Sequence, residues 1–462
     1  MRYTIREIEA ESKFSRTMTL DALEEVIPLK VIEQVLQETG RITRRERKLN
    51  LRLTIWALIG LFLYACSLAR VFRHLAQGTR LVSADSEGPL PGASALTYRR
   101  QQLGVRPLAL LCRRVCQPVA PPETPDAFRF GLRLVALDGT VDAVADTPAN
   151  ASVFGRAKGR HGESAYPQVR GVHLVECGTH AVLDVTFWPY YIGERRGAAR
   201  LLRSVQPGWL LMWDAGLHSF DLVHAVAARG AQVLARLPAG VKPERVQTLS
   251  DGTWWAYLRP TEPAPRRAGE RQLVRVVEYR LTDPALPGFN RPYRLVTTLL
   301  DPDRYPALAL VETFFTRWEF ELTLDEIETH QRLSATPLRG QTPKSILQEL
   351  YALVLAHYAI RALMCAAATQ AELAPTRLSF THAVDIIRQA ICEFQLIAPV
   401  SHPALWQRLL TDLAAARLPP RRFRTAPRLV KCRVSKFMRK SPNHPPPLKP
   451  SVSSFRECIA LI

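Results

Sequence analysis

Five consecutive large apolar residues, Trp209-Leu210-Leu211-Met212-Trp213, close on Asp214. The run is short, has no polar face and ends at a carboxylate, the pattern of a strand buried on both sides. Such a strand needs neighbours, and the flanking sequence supplies them. Phe130 to Val141 is apolar and carries Asp138-Gly139 towards its end. Val169 to Cys177 and Ala181 to Trp188 are β-rich runs separated by Gly178-Thr179-His180, which suggests a hairpin. Gly193 to Val205 and Leu217 to Arg229 read as helices, and Gln232 to Leu237 as another strand. The order β-β-β-α-β-α-β predicts a mixed α/β domain, with Asp138 and Asp214 at or near strand ends.

The rest of the chain divides around this domain. Helices are predicted before it, one starting near Pro28 with Leu29, Ile32, Val35 and Leu36 on one face. Leu53 to Ala69 is apolar and reaches the lower limit of the ~20 residues a membrane span needs. With Arg52 and Arg70 flanking it and no second span following, it reads as a buried core helix. Pro118 to Pro125 is a breaker cluster and predicts a domain boundary. Pro238 to Tyr305 holds many Pro and Gly between short alternating runs and reads as a β-rich insertion. Leu308 to Gln331, Pro343 to Ala368 and Ala383 to Ile397 read as helices. The predicted organisation is a helical N-terminal domain over 1–120 and an α/β core over 121–237. The insertion spans 238–305, helices completing the core 306–370, a helical C-terminal region 371–418, and a basic, mobile tail 419–462.

Charge narrows the partner. The 462 residues hold 62 Lys+Arg against 42 Asp+Glu, a formal net charge of +20. A surplus of this size favours a polyanion, either nucleic acid or an anionic membrane surface. Arg44, Arg45, Arg47 and Lys48 lie in one cationic stretch, read either as a solvated helix face or as a phosphate-contacting surface. Arg421, Arg422 and Arg424 open the basic tail. Eight scattered cysteines do not make a disulfide scaffold and point to a reducing, cytoplasmic setting. Cys112 and Cys116 are spaced for a metal, but two further ligands are missing nearby. The first residues alternate charge and lack the apolar core of a secretory signal.

Asp138, Asp214 and Glu321 stand out by context. A carboxylate after an apolar strand is costly to bury alone, and a divalent cation is a natural partner. Its oxygens suit Mg²⁺ or Mn²⁺, and two such ions can activate a water or a 3′-hydroxyl against a phosphodiester. An Asp in that place also serves commonly as a turn residue or helix cap.

The wording around these carboxylates is more specific. Asp138-Gly139-Thr140 is followed by Asp146-Thr147-Pro148-Ala149-Asn150, Phe154-Gly155, Leu174-Val175-Glu176-Cys177-Gly178-Thr179-His180, Gly193-Glu194 and Asp214. This series resembles the catalytic domain of bacterial DDE transposases of the insertion-sequence-four family, which has an RNase H-like fold. Phe314-x-x-Arg317-Trp318-Glu319-Phe320-Glu321 is similar to that family's Tyr-x-x-Arg-x-x-x-Glu-x-x-x-x-x-x-Lys signature. Leu338-Arg339-Gly340-Gln341-Thr342-Pro343 resembles its downstream helix. The resemblance covers Val26 to Leu363. It implies a metal-binding catalytic triad of Asp138, Asp214 and Glu321, with Arg317 on a DNA phosphate or orienting Glu321. It also implies double-stranded DNA as partner, both terminal inverted repeats and target, a dimer on DNA, and a nucleoid-associated protein with no membrane part. Trp254 and Trp255 of the insertion could stack on an unpaired base, or pack the inserted sheet. Three positions depart from the family pattern: Phe314 for Tyr, Glu328 for Lys, and Ala215 where an Arg often follows the second Asp. These departures keep open a non-catalytic DNA-binding protein, and an RNase H-like nuclease without strand transfer.

Overall fold

The computed structural model describes residues 3–6, 21–42, 49–78, 92–159, 162–261, 269–286, 288–332, 337–419, 451–452 and 454–461. After a one-turn helix at Asp21–Glu24 come, in chain order, helices α1 (Leu29–Glu38), α2 (Leu51–Leu63), α3 (Leu68–Leu75), α4 (Ala93–Leu103) and α5 (Arg106–Val115). Then come β1 (Leu132–Ala143), α6 (Pro148–Phe154), β2 (Gln168–Glu176), β3 (Val182–Pro189) and α7 (Glu194–Leu201). The next stretch holds β4 (Trp209–Trp213), α8 (Phe220–Ala227), β5 (Gln232–Arg236), β6 (Glu244–Thr248), β7 (Trp254–Leu258), β8 (Gln272–Leu281), β9 (Pro292–Thr297) and α9 (Ala307–Phe315). The chain ends with α10 (Glu319–Asp325), α11 (Pro343–Gln370), α12 (Phe380–Leu396), α13 (His402–Ala415) and β10 (Ile459–Leu461). Two compact units form: residues 1–129, 133–204 and 318–418 make the first, and 130–132, 205–317 and 419–462 the second. Residues on both sides of Pro118–Pro125 thus share one unit.

In the first unit β1, β2 and β3 form an antiparallel meander. The β2–β3 hairpin turns at Cys177–His180, as the Gly178-Thr179-His180 signal predicts. Helix α11 packs against α2, α5, α12 and α13. It is long and apolar enough to cross a membrane, and most of it is buried inside the unit. Leu53 to Ala69 is not one continuous helix: α2 and α3 meet at 103°. Gly60 permits that crossing, since a Cβ there would stand 2.6 Å from Val71 Cγ1. All but Arg52 and Leu61 of α2 are buried, so it is a core helix.

In the second unit β4 pairs parallel with β5, and β9, β8, β7 and β6 follow antiparallel in that order. The insertion is β-rich as its alternation predicts, but it is no separate lobe. Its last strand, β9, pairs with β5 and so extends the same sheet. The end of the chain is also built in, against the expectation of a mobile tail through residue 462. Strand β10 pairs with the end of β8. Ser451 donates from N and Oγ to Asp283 at 2.8 and 2.9 Å, Phe455 stacks on Phe315 at 3.8 Å, and Cys458 is fully buried. Apolar residues after the cationic stretch supply this anchor. The predicted DNA contacts Arg44, Arg45, Arg47, Lys48, Arg421, Arg422 and Arg424 lie outside the described residues.

Candidate active site

Asp138 does not end a strand. It lies in the middle of β1, opposite His173 of β2, and β1 runs on to Ala143. The Asp-Gly pair reads as a turn signal, but Gly139 answers a different need. A Cβ at Gly139 would stand 2.7 Å from Cδ of Glu194, which packs there and pairs with Arg170. The half-buried Asp138 carboxylate accepts from the Gly139 N–H at 2.8 Å. Beside it His173 is buried, its Nε2 3.3 Å from Thr140 Oγ1, and burial together with His357 pushes its pKa down to about 4.

Asp214 follows β4, as predicted. Its Oδ1 accepts from the Ala215 N–H at 2.6 Å and stands 3.9 Å from Nη1 of Arg236. Arg236 ends β5 and lies over the Tyr293 ring at 4.5 Å. The parallel register, Trp213 opposite Ala235, brings Arg236 beside the residue after β4.

The predicted regular helix Leu308 to Gln331 is broken. After α9 comes a 3₁₀ turn, Thr316–Trp318, then α10, then a π turn, Glu326–Gln331. Arg317 is 9% exposed and its guanidinium lies 5.8 Å from the Phe314 ring centre. Glu321 is half-buried on α10 and Glu328 is exposed in the π turn. The π turn adds residues per turn, so Glu328 does not repeat the direction of Glu321 as two regular turns would require.

The other motif residues stitch the first unit together. Thr147 caps α6 and donates to the Gln341 carbonyl at 3.0 Å. Buried Asn150 donates to the carbonyls of Ala145 and Gly340 at 3.0 and 2.9 Å. Gly340 in turn donates its N–H to Glu349 Oε2 at 3.2 Å. Asp142 and Glu319, neighbours of the triad with no role in the motif, are held by an ion pair to Arg332 and a hydrogen bond from His180 respectively. Trp254 is 8% exposed beneath Arg245 at 4.8 Å, while half-buried Trp255 donates Nε1–H to the Leu300 carbonyl at 3.0 Å.

Residues 17–113 match the insertion element 4 transposase N-terminal family, and residues 129–358 match the transposase DDE domain. The chain is also 27% identical over 422 residues to the transposase InsG for insertion sequence element IS4 of Escherichia coli (strain K12), covering 90% of this chain and 93% of that one. The chain is a DDE transposase of the insertion-sequence-four family. Among solved structures, a piggyBac transposase synaptic complex with hairpin DNA is similar at a TM-score of 0.40 and 9% identity, over 89% of this chain and 88% of that one.

The transposase is thus a metal-dependent enzyme acting on DNA. Among the described residues no three His, Cys, Asp or Glu side chains form a ready-made metal cluster. Asp138 and Glu321 belong to the first unit and Asp214 to the second. Each of the three predicted carboxylates is half-buried and offers only oxygen, the donor chemistry that a hard cation takes. Sequence reasoning missed Arg236. The available signal was the parallel pairing of two short strands, which sets the residue after one beside the end of the other.

Proposed function

We propose that the transposase binds the terminal inverted repeats of its element, cleaves the DNA ends with two divalent ions and joins them to target DNA. Asp138, Asp214 and Glu321 hold Mg²⁺, for which Mn²⁺ can substitute. The observation that carries this is the order and setting of the three carboxylates: each lies in its family motif and each is half-buried. When bound, the ions activate water or a 3′-hydroxyl and stabilise the leaving oxygen of the phosphodiester. Arg317 holds a DNA phosphate or orients Glu321. Arg236, 3.9 Å from Asp214, supplies the cation that Ala215 does not. Trp255, half-buried, is the insertion aromatic that stacks on an unpaired base, while buried Trp254 packs the sheet. The cationic segments around Arg44–Lys48 and Arg421–Arg424 bring the polyanion in. The working form is a dimer on DNA in the cytoplasm, associated with the nucleoid, with no part in a membrane.

The direct test is a gel of labelled terminal-repeat DNA with Mg²⁺ and a target plasmid. Cleaved ends and joined product support the proposal. Cleavage without joining leaves an RNase H-like nuclease. Phe314, Glu328 and Ala215 favour a second reading, a catalytically impaired DNA-binding protein, which end binding without any metal-dependent cleavage would establish.

Two predictions arise here. Deleting residues 421–440 flattens the dependence of log K on log[salt], because each phosphate neutralised on duplex DNA contributes a slope of about −0.9. The loss is several units of slope with end selectivity kept, and a filter-binding titration reads it. An unchanged slope removes the basic segment from DNA binding. Second, Glu328→Lys raises cleavage of a terminal-repeat substrate, since an exposed carboxylate repels phosphate where the family places a cation. A fall in activity would show that Glu328 has acquired its own role.

A further inference from the structure

Three elements of the first unit meet in a buried ionic cluster that the metal chemistry does not use. His180 Nε2 donates to Glu319 Oε2 at 2.8 Å. Its Nδ1 stands 2.9 Å from Glu326 Oε1 and 2.7 Å from Arg361 Nη2. Arg361 grips Glu326 with both Nε, at 2.8 Å, and Nη2. His357, kept neutral by burial and by His180, which push its pKa down to about 3, lies with Nε2 3.2 Å from Glu326 Oε2. His180 and Arg361 are 1% and 2% exposed.

The arrangement is directional. Glu319 and Glu326 are seven residues apart and bracket Glu321. Both reach the same imidazole, so the α10 segment is pinned at each end. Glu321, two residues after Glu319, points about 200° around the helix from the pin. His180 is itself fixed by its turn: its φ is +59°, a sparsely populated conformation for a side-chain-bearing residue. Its N–H donates to the Glu176 carbonyl at 2.9 Å, and Thr179 Oγ1 donates to the Glu176 carboxylate at 2.6 Å. Opposite charges desolvated together hold one geometry firmly, because any slip leaves a buried charge unpaired.

We infer that His180, Glu319, Glu326 and Arg361 form an ionic clamp that positions α10 and thereby presents Glu321 to the metal. These are positioning residues, and the inference rests on the assignment of Glu321 as a metal ligand proposed above. Partners that orient a ligand commonly alter metal affinity about tenfold to a hundredfold when changed.

The experiment compares full-length wild type with His180→Gln, Arg361→Lys, Arg361→Gln and Glu321→Gln, each bound to its terminal repeat. Mn²⁺ is titrated by the loss of its free electron-paramagnetic-resonance signal, and cleavage is followed against Mn²⁺ concentration. Repeat binding in Ca²⁺ and the melting temperature report folding. The expected result is repeat binding at wild-type affinity with Mn²⁺ half-saturation raised about tenfold or more. Saturating Mn²⁺ should restore much of the cleavage rate, and Arg361→Lys, which keeps the charge but loses the two-pronged grip, should be milder than Arg361→Gln. Unchanged Mn²⁺ binding in variants that bind the repeat normally would overturn the clamp. Loss of repeat binding together with metal binding would overturn it too, by showing that the cluster only holds the fold. If Glu321→Gln leaves Mn²⁺ binding intact, the triad assignment itself fails.

Discussion

Asp138→Asn, Asp214→Asn and Glu321→Gln should each abolish Mg²⁺-dependent nicking and joining of terminal-repeat DNA while end binding in Ca²⁺ survives. Each change removes a negative metal ligand and leaves the cationic surfaces in place. Metal ions supply several kcal/mol of charge stabilisation in the transition state, so losing a ligand costs about a thousandfold in rate. The control must be a carboxylate with little structural duty. Asp142 and Glu319 do not qualify, because an ion pair to Arg332 holds the first and a hydrogen bond from His180 the second. Asp325 does: it lies on α10 close to Glu321, is exposed, and pairs only at the surface with His330 at 3.3 Å. Asp325→Asn should cleave at the wild-type rate. Equal losses in Asp325→Asn and Glu321→Gln would show that α10 tolerates no change, and would withdraw support from the triad.

The second large effect is on stability. Arg275 is fully buried in β8. Its Nε donates to Thr253 Oγ1 at 2.8 Å, its Nη1 to the Tyr305 carbonyl at 2.6 Å, and its Nη2 to Asp251. Arg275→Met keeps the length and removes every donor at once. Removing one partner of a fully buried pair costs about 3–5 kcal/mol; Asp251 is 27% exposed, so the loss here falls below that range yet remains a sizeable part of a domain's stability. The second unit should lose its cooperative urea transition, or shift it strongly, and its insertion should become open to protease. The same site sets an acid limit. Burial acts to raise the Asp251 pKa, but the Thr253 hydrogen bonds and Arg275 outweigh it and hold the carboxyl below its usual value. The pairing therefore stabilises above the ordinary carboxylate pKa and is lost as pH falls through the lowered one. Stability of this unit should drop in that acid window in wild type, and the drop should shrink in Arg275→Met, where only the Thr253 hydrogen bonds still hold the Asp251 carboxyl down. A variant as stable as wild type would show that Arg275 contributes nothing net.

Much of the architecture was legible because it rests on local patterns. The run Trp209–Trp213, the Gly178-Thr179-His180 turn and the alternation of the insertion each become the element their period predicts. What was not legible depends on distant residues. Asp138-Gly139 carries a turn signal, yet β1 continues through it because β2 pairs on one side and Glu194 packs over the glycine. The break in the helix before Glu321 has no Pro or Gly to announce it. The π turn is instead where Glu326 is drawn to Arg361, His357 and His180, none of them near in sequence. Arg275 carries no local signal of burial, and only the loops around Thr253 and Tyr305 make it a core residue. The last residues read as tail because the basic stretch before them has no apolar periodicity, although Phe455, Cys458, Ile459 and Leu461 bring their own.

The central claim is that the three carboxylates are metal ligands, and a change of ligand softness tests it most directly. Asp214→Cys replaces oxygen by a thiolate, which accepts Mn²⁺ far better than Mg²⁺. Cleavage of labelled terminal repeats by this variant should be lost in Mg²⁺ and recovered in Mn²⁺, while Asp214→Asn stays inactive in both. Cleavage by Asp214→Cys at equal rates in the two metals would contradict the assignment, and so would a folded, repeat-binding Asp214→Cys that Mn²⁺ fails to restore.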